Sequence, residues 1–419
     1  MKIKHRVTKD KEGTYYTVGF EVPENVSRLT VKYSYQRGTK GILGDLFPTN
    51  TIDIGIIDCD GRFLGWSGSA KSEISVGEFN STEGYLSEPV KPGLWKIIVG
   101  AYHVTQKGVD VEYDIEFEYK SERLLFGDLH IHTTASDGYF SAFDIARIAK
   151  SSGLDFIGLA NHNNFSENLN LPHIDGLTFI PAVEWTHYKG HMNFFGASEP
   201  FENSFIANSE EEMRLIVEHA RSLGAVVSVN HPKCGLCPYL WESEDFDMLE
   251  IWNGPMRPTN IRGLEYWTKL LRRGRRVPIV GGSDYHKPHL PVKIGNPVTG
   301  VYSPSMSAED ILSSLVKGHS FVTSGVNGVR IKLKNGDAFM GDVAKPDKTA
   351  GLDIEAENLK GESIVLVTDK GERTAATHKF GNFRSNFTLT DEKFIYAKAV
   401  KNIFGKEVFT AVTNPIYFE

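Results

Sequence analysis

Between Tyr15 and about Tyr119 the chain sets short apolar or aromatic runs between turn signals. The clearest is Val111-Glu112-Tyr113-Asp114-Ile115-Glu116-Phe117-Glu118-Tyr119, where acidic residues separate every apolar or aromatic position. Alternate side chains on a strand face opposite ways, so this period of two predicts a sheet with one buried and one wet face. Residues 51–57 and 94–99 read as further strands, the second set off by Pro92-Gly93 in front and Gly100 behind. No helical periodicity interrupts them, and residues 1–122 are expected to form an antiparallel all-β sandwich domain. Its Trp66 and Trp95 are expected to pack in a core or between domains; the alternative is stacking on a sugar or a partner surface.

From Arg123 the pattern changes to strands alternating with helices. Gly127-Asp128-Leu129-His130-Ile131-His132 opens the region, followed by apolar residues at helical spacing over 141–150 and the stop signal Gly153. Apolar runs then end one after another on polar groups: 156–160 on Asn161-His162, 178–183 on Glu184, 225–229 on Asn230-His231-Pro232, 248–252 on Asn253-Gly254, and 277–280 on Gly281-Gly282-Ser283-Asp284-Tyr285-His286. Gly190-His191 opens another, Met192-Asn193-Phe194-Phe195. Ser209 with Glu212 three positions later is a capping box for a second helix, a third passes through Leu264, Trp267, Leu270 and Leu271, and a capped fourth spans 307–317 before the strand 320–323. Near-continuous apolar strands between helices predict a parallel sheet, with ligands at the strands' C-terminal ends. Residues 123–325 are therefore expected to be an α/β domain. Past Val326 the helices stop, and 326–419 reads as a second β-sandwich.

The strand ends carry the candidate chemistry. His130 and His132 share one face of their strand, Asp137 follows five residues on, and Asp284 and His286 repeat the spacing of two. With His162, Glu184, His191 and His231 these make six imidazoles and three carboxylates. A single ion takes three or four protein ligands, so the set predicts two or three divalent metals, with manganese, zinc or iron suited to such donors.

Composition narrows the partners. A chain of 419 residues, 40% hydrophobic and 24% charged, fits a soluble protein of two or three domains. Its net charge of -7 argues against stable nucleic-acid binding, while a short nucleotide remains acceptable as a substrate. No apolar stretch is long enough for a signal peptide or a membrane span, and three cysteines cannot all pair, so a cytoplasmic location without membrane contact is expected. Cys234 and Cys237 lack the second cysteine pair of a zinc knuckle; redox chemistry or an extra metal contact is the alternative. Arg257 and Lys287 lie in loops expected on the active face and could clamp an anionic small-molecule substrate, or could be ordinary solvated charges. The basic run 272–276 ends a helix, where cations oppose the dipole, and reads as solvated.

The motifs Asp128-Leu129-His130-Ile131-His132-Thr133, Ser136-Asp137-Gly138, Asn161-His162-Asn163, Glu184, Gly190-His191, His231-Pro232 and Gly282-Ser283-Asp284-Tyr285-His286 together resemble the PHP (polymerase and histidinol phosphatase) superfamily of metallohydrolases. With flanking β domains, the chain looks more narrowly like the CehA/McbA-type branch. The resemblance implies a distorted (β/α)7 barrel, with His130, His132 and Asp284 on one ion, His191 and His231 on a second, Glu184 bridging these two, and Asp137, His162 and His286 on a third. His187 is an alternative to His191. The sequence departs from the family at Asn161, where Asp is usual; Asn keeps hydrogen bonding but cannot ionise. Glu184, Asp284 and His286 become the candidate catalytic residues. The implied mechanism is attack on phosphorus or a carbonyl carbon by a metal-bridged hydroxide, formed from a water whose pKa falls from roughly 15.7 to about 7. A phosphoesterase acting on a small phosphorylated molecule or short nucleotide is expected first, and a carboxylic or carbamate ester hydrolase second. A non-catalytic metal-binding scaffold is the reading from outside enzymology.

Overall fold

Alternation along the first strands decides what the N-terminal part buries. In this computed structural model, which describes residues 1–38, 49–78, 81–289, 291–403 and 405–419, the chain divides into two compact units, Met1–Ser121 and Glu122–Glu419. The first holds β1 (Lys2–Val7), β2 (Thr14–Val22), β3 (Val26–Tyr35), β4 (Thr51–Ile57), β5 (Phe63–Gly68), β6 (Glu73–Gly77), β7 (Gly93–His103) and β8 (Val109–Tyr119). They form two four-stranded antiparallel sheets, β1-β8-β3-β6 and β2-β7-β4-β5. Ile52, Ile54 and Ile56 of β4 and Ile97 and Val99 of β7 pack in one core with Val31, Tyr113 and Ile115 from the other sheet. Trp95 is fully buried there, its indole N–H donating to the Lys91 carbonyl at 2.9 Å. Trp66 stays largely exposed.

The second unit begins with β9 (Arg123–Ile131), α1 (Ala142–Ser151), β10 (Phe156–Leu159), β11 (Thr178–Ile180), β12 (Ala182–His187), β13 (Gly190–Phe195), α2 (Glu210–Ser222), β14 (Val226–Val229), β15 (Met248–Asn253), α3 (Pro258–Arg272), β16 (Ile279–Gly282), β17 (Val298–Ser303), α4 (Ala308–Lys317) and β18 (Ser320–Thr323). Ser141, Ser209 and Ser307 cap α1, α2 and α4, each hydroxyl accepting the backbone N–H three residues on, and Gly318 closes α4 in the left-handed conformation. Next come β19 (Arg330–Asn335), β20 (Ala338–Phe339), β21 (Val343–Ala344), β22 (Leu352–Thr368), β23 (Gly371–Phe387), β24 (Phe394–Ile403), β25 (Lys406–Thr413) and β26 (Ile416–Phe418).

The strands do not make the expected closed (β/α)7 barrel. One sheet runs β12-β13-β14-β15-β16, and the other runs β11-β10-β9-β17-β18-β25-β24-β22-β19-β20. Only β9/β10, β10/β11, β14/β15 and β15/β16 are parallel along the strands nearest the site. Two residues separate β12 from β13, enough for a hairpin and too few for a crossover helix, so that pair is antiparallel. The two sheets meet through isolated bridges, Ile131 with Tyr285 and His162 with Glu184. Four backbone hydrogen bonds accompany them: Asp284 N–H to His130 O, His132 N–H to Tyr285 O, Asn163 N–H to Glu184 O and Glu184 N–H to Asn161 O. Both seams therefore run through the predicted ligands.

Residues 326–419 do not stand apart as a sandwich of their own. β25 pairs with β18, and β24 and β22 continue the same sheet outward. The basic run at the end of α3 is ion-paired, Arg273 to Glu244 and Arg276 to Glu419. Among the described residues no helix is long and apolar enough to cross a membrane.

Candidate metal centre

Close backbone approach brings the first ligands together. A Cβ at Gly282 would lie 2.5 Å from the Cβ of His130, and one at Gly138 would lie 2.4 Å from the His132 carbonyl carbon. Only glycine lets β16 and the Asp137-Gly138 turn pack this tightly on the end of β9. His231 and Asp284 hold left-handed backbone angles, φ 27° and 52°. Such strain costs about 1–3 kcal/mol per residue and persists where surrounding structure over-determines the conformation.

All the sequence-predicted ligands converge. Glu184 lies between them, 1% exposed, and its two oxygens face different partners. Oε1 is 3.3 Å from His130 Nε2, 3.0 Å from His191 Nδ1 and 3.4 Å from His231 Nε2. Oε2 is 2.8 Å from His162 Nδ1 and 3.5 Å from His132 Nε2. Asp284 Oδ1 lies 3.1 Å from His132 Nε2, 3.4 Å from His130 Nε2 and 3.5 Å from His286 Nδ1. At the mouth Asp137, 56% exposed, puts Oδ1 3.4 Å from His286 Nε2 and 3.6 Å from His162 Nε2. Ligand atoms fall within 4.8 Å of one another in the sets His130/His132/Asp284, His130/Glu184/His231, His162/Glu184/His191 and His132/Asp137/His162/His286.

The donor set fits divalent cations. His130 Nε2, both ring nitrogens of His132 and Glu184 Oε2 are buried with no hydrogen-bond partner. Leaving such atoms unmatched costs about 1–3 kcal/mol each, and all of them face this cluster. Burial pushes His132 down to about 4, which keeps it in the neutral, ligating form. Burial opposes ionisation of Glu184 too, but the imidazoles of His130, His162 and His191 outweigh it and hold the carboxyl well below its usual range. Asp284 is also held low against burial, by His130 and His132.

Outer contacts orient the rings. His130 Nδ1 is 3.0 Å from Glu250 Oε1, so its N–H on that side turns Nε2 toward the cluster. The other oxygen of Glu250 accepts the His231 backbone N–H at 3.0 Å and the Asn253 amide at 3.1 Å. His286 Nδ1 donates to the Asp284 carbonyl at 2.9 Å, and His162 Nδ1 lies 2.6 Å from Thr186 Oγ1. Asp128, fully buried and pushed up to about 6 by burial, accepts backbone N–H groups of Ser283 and Gly295 at 2.9 and 2.8 Å, pinning the Asp284 loop to β9. Neither Glu250 nor Asp128 figured among the sequence candidates. The signal for Glu250 was there: a lone carboxylate within Met248-Leu249-Glu250-Ile251-Trp252, every residue of which is buried.

Asn161 occupies the position where Asp was expected, and its surroundings explain the exchange. Its Oδ1 accepts from the Thr133 N–H at 2.9 Å and from Ser136 Oγ at 2.9 Å, while its Nδ2 donates to Glu167 Oε2 at 2.9 Å. The amide joins a carboxylate to the loop that carries Asp137; an aspartate would set two carboxylates against each other.

The softer candidates are placed differently. His187 accepts the Lys189 N–H and packs its ring 4.7 Å from that of Trp241, so His191 and not His187 reaches Glu184. Arg257 spends its guanidinium on Asn253, donating to the carbonyl O and to Oδ1 at 3.2 Å each. Lys287 is exposed next to His286. Cys237 Sγ lies 3.7 Å from His231 Nδ1 and 3.2 Å from Cys234 Sγ. Beside His191 and Cys237 opens a cavity of ≈ 510 Å³ lined by Tyr188, Phe205, Ile206 and Leu236 together with Asn163, Thr186 and His187. No lysine or arginine is among its described lining residues.

No protein-family model matches the chain, and no curated protein matches it by sequence. Among solved structures it is similar to a two-domain protein of Bacteroides vulgatus ATCC 8482 containing a predicted PHP-like metal-dependent phosphoesterase, at 16% identity and a TM-score of 0.40, over 69% of this chain and 95% of that one. A Bifidobacterium adolescentis ATCC 15703 protein, whose assignment as a metal-dependent phosphoesterase is itself inferred, aligns at 17% identity and a TM-score of 0.28, over 40% and 90% of the two chains. An amidohydrolase from Chromobacterium violaceum, solved with sulfate and no metal, aligns at 14% identity and a TM-score of 0.29, over 40% and 89%.

Proposed function

We propose that the chain is a metal-dependent hydrolase of the PHP type, using two or three divalent ions to cleave a phosphoester of a small molecule or short nucleotide. The supporting observation is the set of partnerless buried donor atoms of His130, His132 and Glu184 facing the same cluster of imidazoles and carboxylates. Ions bound there would supply Lewis acidity and bring the pKa of water from about 15.7 to about 7.

The chain's own side chains divide the remaining work. Glu184, with one oxygen toward His130, His191 and His231 and the other toward His132 and His162, would help hold ions on both sides of its carboxylate. Asp284 holds the His130/His132 side, and its backbone carbonyl fixes the ring of His286. The far nitrogen of His286 faces Asp137 at the mouth, where these two groups with His162 would hold a further ion. With two or three divalent ions bound, the three carboxylates would leave the centre net positive, which would favour an anionic ester.

The cavity beside His191 favours a second reading, a carboxylic or carbamate ester, because exposed apolar side chains ring it and no cation among the described residues lines it. Metal-loaded protein assayed against nitrophenyl phosphates and nitrophenyl carboxylates separates the two. Turnover of the phosphates supports the leading reading; turnover of the carboxylates alone removes it.

A further inference from the structure

The outer face of the β2-β7-β4-β5 sheet is shaped, in a way the metal centre does not require. Tyr15, 68% exposed, stands opposite Gly100 of β7, which stands opposite Asp53 of β4; one step along, Gly55 of β4 stands opposite Trp66 of β5, 43% exposed. The glycines keep the floor low. A Cβ at Gly100 would meet the Tyr15 ring at 2.8 Å and Asp53 Oδ2 at 3.1 Å, and one at Gly55 would meet the Trp66 ring at 3.0 Å. A Cβ at Gly68 would lie 3.5 Å from Cη2 of the same indole and 3.7 Å from Asp53 Oδ1. Two aromatic rings thus flank one carboxylate over a bare backbone floor.

Asp53 is the second, independent observation. It is only 7% exposed, on the outer face of its strand, and its carboxylate has no hydrogen bond or ion pair among the described residues. Burial raises its pKa, with no opposing partner. Its oxygens still reach the surface, so a donor from outside the chain can meet them. The Tyr15 ring lies over β7 and the indole over β5, two strand spacings or about 10 Å apart. That separation suits alternate pyranose rings of an extended chain, whose C–H faces stack on the aromatics while hydroxyls of the ring between them donate to the carboxylate.

We propose that Tyr15, Asp53 and Trp66 form a binding site for a neutral oligosaccharide or polysaccharide chain. An acidic glycan would set its charge against Asp53. The site lies wholly in the first unit and stands independently of the hydrolase reading.

Affinity electrophoresis of the full chain tests it, in native gels containing a soluble β-glucan, a xylan or a galactomannan. The wild type is expected to be retarded in at least one gel. W66A and Y15A should each weaken that retardation by about tenfold or more in apparent affinity. D53N should weaken it as well while raising the melting temperature, a combination that a purely structural role for Asp53 would not give. Free migration of the wild type in every gel overturns the assignment. Retardation unchanged in W66A, or self-association that W66A abolishes, also overturns it, by placing the sugar elsewhere or a second copy on this face.

Discussion

Substituting Asn161→Asp would restore the residue the resemblance led us to expect, and the structure says it should harm this protein. Asn161 Nδ2 donates to Glu167 Oε2 at 2.9 Å; with aspartate, two carboxylate oxygens would face each other at that distance. Two full charges so placed repel by about 6 kcal/mol at an effective dielectric near 20. The pair would escape by retaining a proton, and lifting one carboxyl from its usual value near 4 to above neutrality costs about 4 kcal/mol. Because Glu167 is partly exposed, the expected loss is about 2–4 kcal/mol at about pH 7. In the variant the folded state binds a proton that the unfolded chain has released, so the penalty shrinks as pH falls toward about 5. N161D/E167Q returns an amide donor to the contact from the other side and should recover most of the loss. Urea unfolding followed by circular dichroism at both pH values checks this. A single variant as stable as wild type at neutral pH, or a double variant no better than the single, would refute the reasoning.

Other perturbations probe the site's supports. Glu250→Gln removes the carboxylate behind His130 while keeping its volume, and chelator competition should show metal affinity falling about 10–100-fold; unchanged affinity would remove Glu250 from the centre. His187→Ala should leave the same titration unaltered, since its ring packs on Trp241; a loss of affinity would restore it as a ligand. Divalent metal at about 100 times its Kd should stabilise the fold by about 2.7 kcal/mol, read as a chelator-reversible rise in Tm. Trp95→Ala should cost about 3–5 kcal/mol from the sandwich core, whereas Trp66→Ala should change stability by less than about 0.5 kcal/mol; similar losses in denaturant titrations would contradict their placement.

Period and punctuation carried the local structure. The spacing of His130 and His132 pointed to one shared face, and the caps at Ser209 and Ser307 marked helices that are present; Asp284 and His286 lie past the end of β16, with Asp284 in left-handed backbone, and reach the cluster from a loop. What was not legible was pairing between distant segments. A short strand such as 182–187 has the same composition whether its neighbour is parallel or antiparallel, and the two-residue gap before β13 betrays the hairpin. Nothing local in residues 406–413 says that they pair with β18, which is why 326–419 reads from sequence as a separate sandwich. Glu250 and Asp128 escaped because they act through backbone N–H groups and ring nitrogens of other segments, contacts that sequence spacing does not encode.

The centre itself is tested most directly by counting metal. Elemental analysis of protein purified without chelator should find two or three divalent ions per chain, with at least one lost in His132→Ala and in Asp284→Ala. Less than one ion in wild-type protein reloaded with manganese, zinc or iron, or a count unchanged in both variants, would contradict the account.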